Sequence, residues 1–154
     1  MQMHEPKIVL LVEDNPDDEK LTLRALRQSD VPNIVIVARD GEEALEYLFA
    51  YGRYQGLERQ QLPALILLDL KLPKLSGFEV LERLRQDNST ATIPVVVMTS
   101  SDEEIDINRS YQLGANSFVR KPVEFDEFID CIRQLGMYWL MINLQNGREA
   151  VTAR

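Results

Sequence analysis

The sequence predicts an α/β fold in which helices cover both faces of a doubly wound parallel sheet. Five short apolar runs alternate with longer amphipathic segments from one end of the chain to the other. The first runs are apolar at nearly every position, which is typical of strands buried on both faces. No internal repeat or second-domain boundary interrupts the alternation. A length of 154 residues suits one domain, since domains cluster near ~100–150 residues.

Each predicted strand is an apolar run that stops at a polar residue or a turn. The first run, 7–12, ends abruptly at Glu13-Asp14. The other strands are expected at 34–38, 64–68, 95–98 and 117–119. Because a helical segment lies between every two runs, the strands are expected to be parallel and joined by crossover helices.

The predicted helices carry apolar residues at the spacing of a helix face. They are expected at 17–29, 40–51, 77–86, 101–113 and 124–143. Ser101 and Glu104 match a capping box at the start of the fourth helix. Phe125 belongs to the predicted inward face of the fifth helix. The polar segment 52–62 predicts an unusually long connection.

Composition excludes several classes of function. The net charge is −8, with 25 acidic and 17 basic residues, and such a field disfavours direct binding of nucleic acid. The single cysteine, Cys131, and the single histidine, His4, exclude an internal disulfide and leave little for a zinc site or Cys–His catalysis. No apolar run approaches the ~20 residues that cross a bilayer, and no signal peptide opens the chain. We therefore expect a cytoplasmic protein that does not contact membranes.

Polar side chains follow four of the five predicted strands. Glu13 and Asp14 follow the first strand, Asp69 the third, Thr99 the fourth and Lys121 the fifth. In an open parallel sheet these positions meet at one edge, where ligands bind. Three carboxylates close together would repel one another unless a hard divalent cation neutralised them, and Mg²⁺ prefers such oxygen ligands. A metal-assisted carboxylate beside a lysine could act as a nucleophile toward phosphorus.

Each of these residues also has an ordinary structural interpretation. Asp14 could cap the first helix, Thr99 could simply end its strand, and a lone Lys121 is usually solvated. Single motif matches carry a high risk of false positives. The coincidence of all five residues at the correct strand ends favours the functional interpretation.

Four segments resemble the receiver domains of two-component response regulators, which have a CheY-like, flavodoxin-like fold. The segments are VLLVEDNPDD, LILLDLKLPKLSGFEVL, IPVVVMTSS and GANSFVRKPV, and the resemblance extends over 7–135. It implies a five-stranded sheet in the order 2-1-3-4-5. The receiver is expected to span 7–144 and to include the 52–62 insertion and an extended last helix. The segments 1–6 and 145–154 are expected to be tails.

The resemblance also implies roles for the residues at the strand ends. Asp69 matches the phosphorylated aspartate, and Mg²⁺ (with Mn²⁺ as an alternative) would be held by Glu13, Asp14, Asp69 and the backbone carbonyl of Lys71. The acidic pair is Glu-Asp instead of Asp-Asp, a common variant.

Three further residues match the switch machinery of the family. Thr99 matches the switch hydroxyl, Phe118 the switch aromatic and Lys121 the lysine that pairs with the phosphate. Phe118 replaces a tyrosine, so any switch contact through a phenol hydroxyl is absent. The resemblance implies a cis peptide bond between Lys121 and Pro122.

The resemblance to a particular group of receivers also implies which partners the chain has. The insertion, the DLKLPKLSGFEVL segment and the long last helix are similar to stand-alone regulators paired with phytochrome-type histidine kinases. No output domain is expected to follow, so output would pass to an unidentified downstream protein, or phosphate would return to a histidine. The chain would be a switch that assists only its own phosphorylation and dephosphorylation.

The end of the last helix is apolar on every side. Tyr138, Trp139 and Ile142 are therefore candidates for a homodimer interface, which phosphorylation could regulate. Alternatively, this turn could fold back on its own domain.

Three other functions compete with a phosphorylated switch. A phosphatase resembling the haloacid dehalogenases would need a D-x-D after the first strand, and Glu13-Asp14-Asn15 lacks it. A flavin-binding module would need a Ser/Thr/Gly-rich phosphate loop in the same place. A degenerate receiver that serves only as an interaction module stays open as the serious alternative.

Overall fold

The computed structural model describes residues 5–56, 61–101 and 103–144. The chain forms one parallel sheet in the order β2-β1-β3-β4-β5, as predicted. The strands are β1 (Lys7–Val12), β2 (Asn33–Ala38), β3 (Leu65–Leu68), β4 (Val95–Thr99) and β5 (Ser117–Arg120). The helices are α1 (Pro16–Arg27), α2 (Gly41–Phe49), α3 (Gly77–Gln86), α4 (Glu104–Gln112) and α5 (Phe125–Met137). Within the described ranges no helix is both long and apolar enough to cross a membrane.

Two hydrophobic cores lie on opposite faces of the sheet. One core packs β1, β3 and β4 against α2 and α3, and the other packs the same strands against α1 and α5. The central strands contribute alternate residues to each side, so Leu10 faces one core and Leu11 the other. This arrangement explains why β3 and β4 are buried at every position.

The register brings the ends of the central strands level with one another. Val12 pairs with Leu68, and Leu68 pairs with Val97. The backbone N–H of Asp69 donates to the Val12 carbonyl at 3.1 Å, which extends the ladder into the first residue after β3. The polar residues that follow β1 and β3 therefore lie side by side.

The starts of two helices differ from the predictions. Asn15, not Asp14, caps α1, since its side-chain oxygen accepts from the N–H groups of Asp17 and Asp18. The prediction of a capping box at Ser101 and Glu104 was wrong. Helix α4 starts at Glu104 without a side-chain cap. The Ser101 hydroxyl is instead engaged by the Asp106 carboxylate, to which it donates at 2.6 Å.

The predicted last helix, 124–143, is divided in two. Helix α5 ends at Met137, and a π-helical turn covers Tyr138–Ile142, where Lys7 Nζ donates to the Leu140 carbonyl at 2.8 Å. Phe125 was wrongly placed on the inward face. It is half-exposed at the first turn, where the Arg24 guanidinium stacks 5.7 Å from its ring centroid.

The predicted insertion 52–62 begins with a 3-10 turn at Gly52–Tyr54. Arg53 and Tyr54 bind the buried carboxylates of Glu43 and Glu46 on α2, which fixes the start of the insertion. Residues 57–60 of the insertion and the predicted C-terminal tail, 145–154, lie outside the described residues. Of the predicted N-terminal tail, only Glu5 and Pro6 are described.

Candidate phosphoryl-transfer site

The carboxyl edge of the sheet gathers the predicted acidic residues. Glu13, Asp14 and Asp69 each offer a carboxylate oxygen, and these oxygens lie within 4.8 Å of one another. Glu13 and Asp69 are buried, whereas Asp14 is exposed. A hard divalent cation fits this donor set, because it would neutralise the three carboxylates and keep water on the open side. The predicted convergence of these three carboxylates is therefore observed, while their role as metal ligands stays a prediction.

Lys121 lies on the inner side of the acidic cluster. Its Nζ is 2.7 Å from Glu13 Oε1, 2.9 Å from Asp18 Oδ2 and 3.0 Å from Asp69 Oδ2. The Lys121 side chain is only 10% exposed, so these are short ion pairs in a largely desolvated place. The backbone N–H of Lys121 also donates to the Thr99 carbonyl at 2.8 Å, which joins the residue to the end of β4.

Burial and charge shift two ionisations at this edge. Burial raises the pKa of Glu13 to about 7, against the opposing effect of its ion pair with Lys121. For Lys121, burial alone would lower the pKa. The carboxylates of Asp69, Glu13 and Asp18 outweigh burial and raise it above the usual range, so the ammonium stays charged. The site thus keeps a permanent cation beside the predicted nucleophile.

Thr99 is fully buried at the end of β4. Its hydroxyl has no hydrogen-bond partner within the described part of the chain. Buried hydroxyls are normally paired, so an orphan of this kind calls for an explanation. A hydroxyl without a partner can turn toward an incoming group and donate to it.

The remaining predicted site residues are Lys71 and Phe118. Lys71 is exposed, and its N–H donates to Asp69 Oδ1 at 3.3 Å, while the role of its carbonyl as a metal ligand stays a prediction. Phe118 is half-buried against the core on the α2 and α3 side. Its N–H donates to the hydroxyl of Tyr111 at 3.1 Å, a contact that joins α4 to β5.

The cis peptide bond implied for Lys121-Pro122 is not observed. The described residues contain no cis peptide bond, and this bond is trans, the form that X–Pro bonds ordinarily favour.

Gly77 brings the start of α3 against the site. Its N–H donates to the Leu70 carbonyl at 2.9 Å, and a Cβ atom at this position would overlap the Asp69 carbonyl oxygen. No other residue type allows so close an approach between a helix and the strand end. The glycine therefore helps fix the backbone from which the Asp69 side chain projects.

Asp18 is the site residue that sequence reasoning missed. The prediction concentrated on strand ends, whereas Asp18 lies in the first turn of α1. Its spacing from Asp14 was a usable signal, because the first turn of a crossover helix starts beside the end of the preceding strand.

Comparison with known protein families shows the family to which this chain belongs. A model of the response regulator receiver domain matches residues 9–133. The chain belongs to this family. It is thus a receiver-domain response regulator and signals through phosphorylation, and its acidic pocket is of the kind that holds a divalent metal in such receivers. Because the chain belongs to the receiver family, it is neither a haloacid-dehalogenase-type phosphatase nor a flavin-binding module.

Individual receivers support the same conclusion. Response regulator Rcp1 from Synechocystis sp. is 38% identical over 135 residues, which cover 88% of this chain and 90% of Rcp1. The structure of phosphorylated RcpA, a cyanobacterial phytochrome response regulator, gives a TM-score of 0.87 at 38% identity and covers 92% of this chain and 99% of RcpA. The Mn²⁺-bound form of Rcp1 gives a TM-score of 0.85 at 36% identity and covers 91% and 99% of the two chains.

Proposed function

We propose that Asp69 accepts a phosphoryl group from the phosphohistidine of a sensor kinase and that Mg²⁺ assists the transfer. One observation carries the proposal: the Lys121 ammonium lies 3.0 Å from Asp69 Oδ2, beside carboxylate oxygens of Glu13, Asp14 and Asp69 that lie within 4.8 Å of one another. This arrangement supplies a nucleophile, a metal-binding donor set and a fixed cation in one place.

Each residue of the site has a separate role in the phosphoryl transfer. An Asp69 carboxylate oxygen attacks phosphorus, the phosphorus–nitrogen bond breaks, and the imidazole leaves. Lys121 binds a phosphoryl oxygen and offsets its charge, and the Thr99 hydroxyl donates to another. Mg²⁺, held by Glu13, Asp14 and Asp69, would neutralise charge on the phosphoryl oxygens. Phe118 would then follow Thr99 and change the neighbouring surface.

The proposed kinase partner is of the phytochrome type. RcpA is described as a cyanobacterial phytochrome response regulator, and the likeness to it extends over 92% of this chain. In this role the chain is a cytoplasmic switch that acts on its own phosphorylation, not an enzyme with a separate substrate. Its acidic surface disfavours nucleic acid as the target, so output would pass to another protein.

Phosphotransfer tests the proposal directly. A phytochrome-type kinase and an unrelated histidine kinase would each be labelled with radioactive phosphate and mixed with the wild-type chain or with Asp69→Asn. Rapid labelling from the phytochrome-type kinase alone, absent in Asp69→Asn, supports both the site and the partner. Equal labelling of Asp69→Asn would contradict the site. Equally fast transfer from both kinases would contradict only the partner. A protein that is not labelled at all would match the degenerate receiver.

The proposed output surface is a homodimer contact at the end of α5. Tyr138 and Ile142 are 47% and 59% exposed, whereas Trp139 packs partly against its own core and stacks edge-on against Tyr138, with centroids 5.0 Å apart. A two-fold contact would cover this apolar patch with its own copy. Sedimentation of Tyr138→Ser and Ile142→Ser, with and without beryllofluoride and Mg²⁺, tests it. Trp139→Ala, which would also disturb the core, makes a poorer test. An unchanged mass for both serine variants would remove the proposed interface.

A further inference from the structure

The three ammonium hydrogens of Lys121 are matched by three carboxylates. Glu13, Asp18 and Asp69 approach Nζ at 2.7, 2.9 and 3.0 Å. Two of these partners, Glu13 and Asp69, also belong to the donor set that fits a metal ion. Asp18 does not belong to it. Asp18 is therefore the partner of Lys121 whose carboxylate is free of any other proposed task.

Asp18 is held in place by the start of α1. Its N–H donates to Asn15 Oδ1 at 3.1 Å, and its carbonyl accepts from the Thr22 hydroxyl at 2.8 Å. The Asp18 side chain is 24% exposed, so the ion pair is partly shielded from solvent. The capped first turn therefore fixes the backbone from which the Asp18 carboxylate reaches Lys121.

The demands on the other two carboxylates change during phosphorylation. Once Glu13 and Asp69 bind a metal, their attraction for Lys121 weakens. As Asp69 takes up the phosphoryl group, Lys121 must exchange its Asp69 oxygen for a phosphoryl oxygen. A long lysine side chain that had no fixed partner during this exchange would lose its orientation, since four rotatable bonds then become free.

We propose that Asp18 is a positioning residue that keeps the Lys121 ammonium beside Asp69 while Glu13 and Asp69 are engaged by a divalent ion and a phosphoryl group. The proposal rests on the function proposed for Asp69. Asp18 acts through Lys121 and touches neither the metal nor the phosphoryl group. Its charge also partly offsets that of Lys121, so its benefit is orientation and not added positive potential.

The first test follows the ammonium itself. Nuclear magnetic resonance of the ¹⁵N-labelled Mg²⁺-bound protein would measure hydrogen exchange at Lys121 Nζ, with the signal assigned from its loss in Lys121→Met. Slow exchange is expected in the wild type and in Asp17→Asn, whereas Asp18→Asn should exchange at least about tenfold faster. Asp17 is the matched control, because it is exposed, lies in the same helical turn and loses the same charge. Slow exchange in Asp18→Asn would overturn the proposal.

The second test follows the reaction. Phosphorylation by acetyl phosphate with Mg²⁺ should be about threefold to tenfold slower in Asp18→Asn than in Asp17→Asn. In a Lys121→Met background the two variants should react at the same rate, because the proposed effect passes through Lys121. A difference that persists there would mean that Asp18 acts on the metal or the phosphate directly, and the proposal would be wrong. If the wild type is not phosphorylated on Asp69, the proposed function fails, while the exchange measurement still decides the role of Asp18.

Discussion

Lys121 and Asp69 form an ion pair at 3.0 Å across the carboxyl edge of the sheet. The pair joins the end of β5, an edge strand, to the end of β3 at the centre. Lys121 also contacts Glu13 and Asp18, so one buried cation serves three acids. Lys121 should therefore stabilise the metal-free protein in addition to its proposed role in phosphorylation.

Replacing Lys121 by methionine should destabilise the metal-free protein by about 3 kcal/mol. The change leaves two buried carboxylates and one partly buried carboxylate without their cation, and breaking a buried pair from one side is strongly destabilising. Urea unfolding in the presence of a chelator measures the effect. Addition of Mg²⁺ should stabilise Lys121→Met more than the wild type, because the metal then supplies the missing positive charge.

Lys20→Met is the control for Lys121→Met, since Lys20 is an exposed lysine of α1. Its effect on the free energy of unfolding should stay within about 0.5 kcal/mol. Equal effects of the two substitutions would show that the ion pairs of Lys121 contribute little to stability.

Magnesium affinity should rise with pH up to about neutrality. In the metal-free protein burial raises the pKa of Glu13 to about 7, so below that pH the carboxyl group holds a proton that metal binding must displace. Above that pH the group is ionised and the affinity should level off. Titrations followed by intrinsic fluorescence between pH 5.5 and 8.5 would use roughly half-unit steps across the range where this acid titrates.

Glu13→Gln removes the titrating group without changing its size. The variant should bind Mg²⁺ more weakly, and its affinity should change less between pH 6 and pH 8, values about one unit either side of the raised pKa. An unaltered pH dependence in Glu13→Gln would assign the proton to another group.

Gly77→Ala should destabilise the protein by at least about 2 kcal/mol and weaken metal binding. The added Cβ would overlap the Asp69 carbonyl oxygen, which is backbone and cannot swing away. Gly136→Ala is the control, because a Cβ there meets only Leu26 Cδ2 at 3.4 Å inside a helix. It should be neutral or stabilising by up to about 1 kcal/mol. Urea unfolding and Mg²⁺ titration of both variants measure the contrast.

The strand ends could be predicted from the sequence because they follow from simple rules. Buried parallel strands are continuous apolar runs, and their carboxyl ends meet at one edge. Glu13, Asp14 and Asp69 therefore came together as expected, with Lys121 beside them. The order of the strands was not a consequence of the pattern but was implied by the family resemblance.

The errors arose where tertiary contacts override local patterns. Ser101 has the spacing of a helix cap, yet its hydroxyl donates to the Asp106 carboxylate instead. Phe125 has the periodicity of a core residue, but it lies at the first turn, where Arg24 covers it. Asp18 was missed because it lies in the first turn of α1 and not at a strand end, while its partner Lys121 is 103 residues away.

Thr99→Val should stabilise the metal-free protein by about 1 kcal/mol while slowing phosphorylation. The Thr99 hydroxyl is buried without a partner in the described part of the chain, and a methyl group in its place removes that unfavourable burial. Thr90→Val is the control, since the equally buried Thr90 hydroxyl donates to the Leu84 carbonyl at 2.7 Å. That substitution should destabilise by about 1 kcal/mol. Urea unfolding should therefore give opposite signs for the two variants. If Thr99→Val is destabilised as much as Thr90→Val, the Thr99 hydroxyl is already bonded in the resting protein and does not wait for the phosphoryl group.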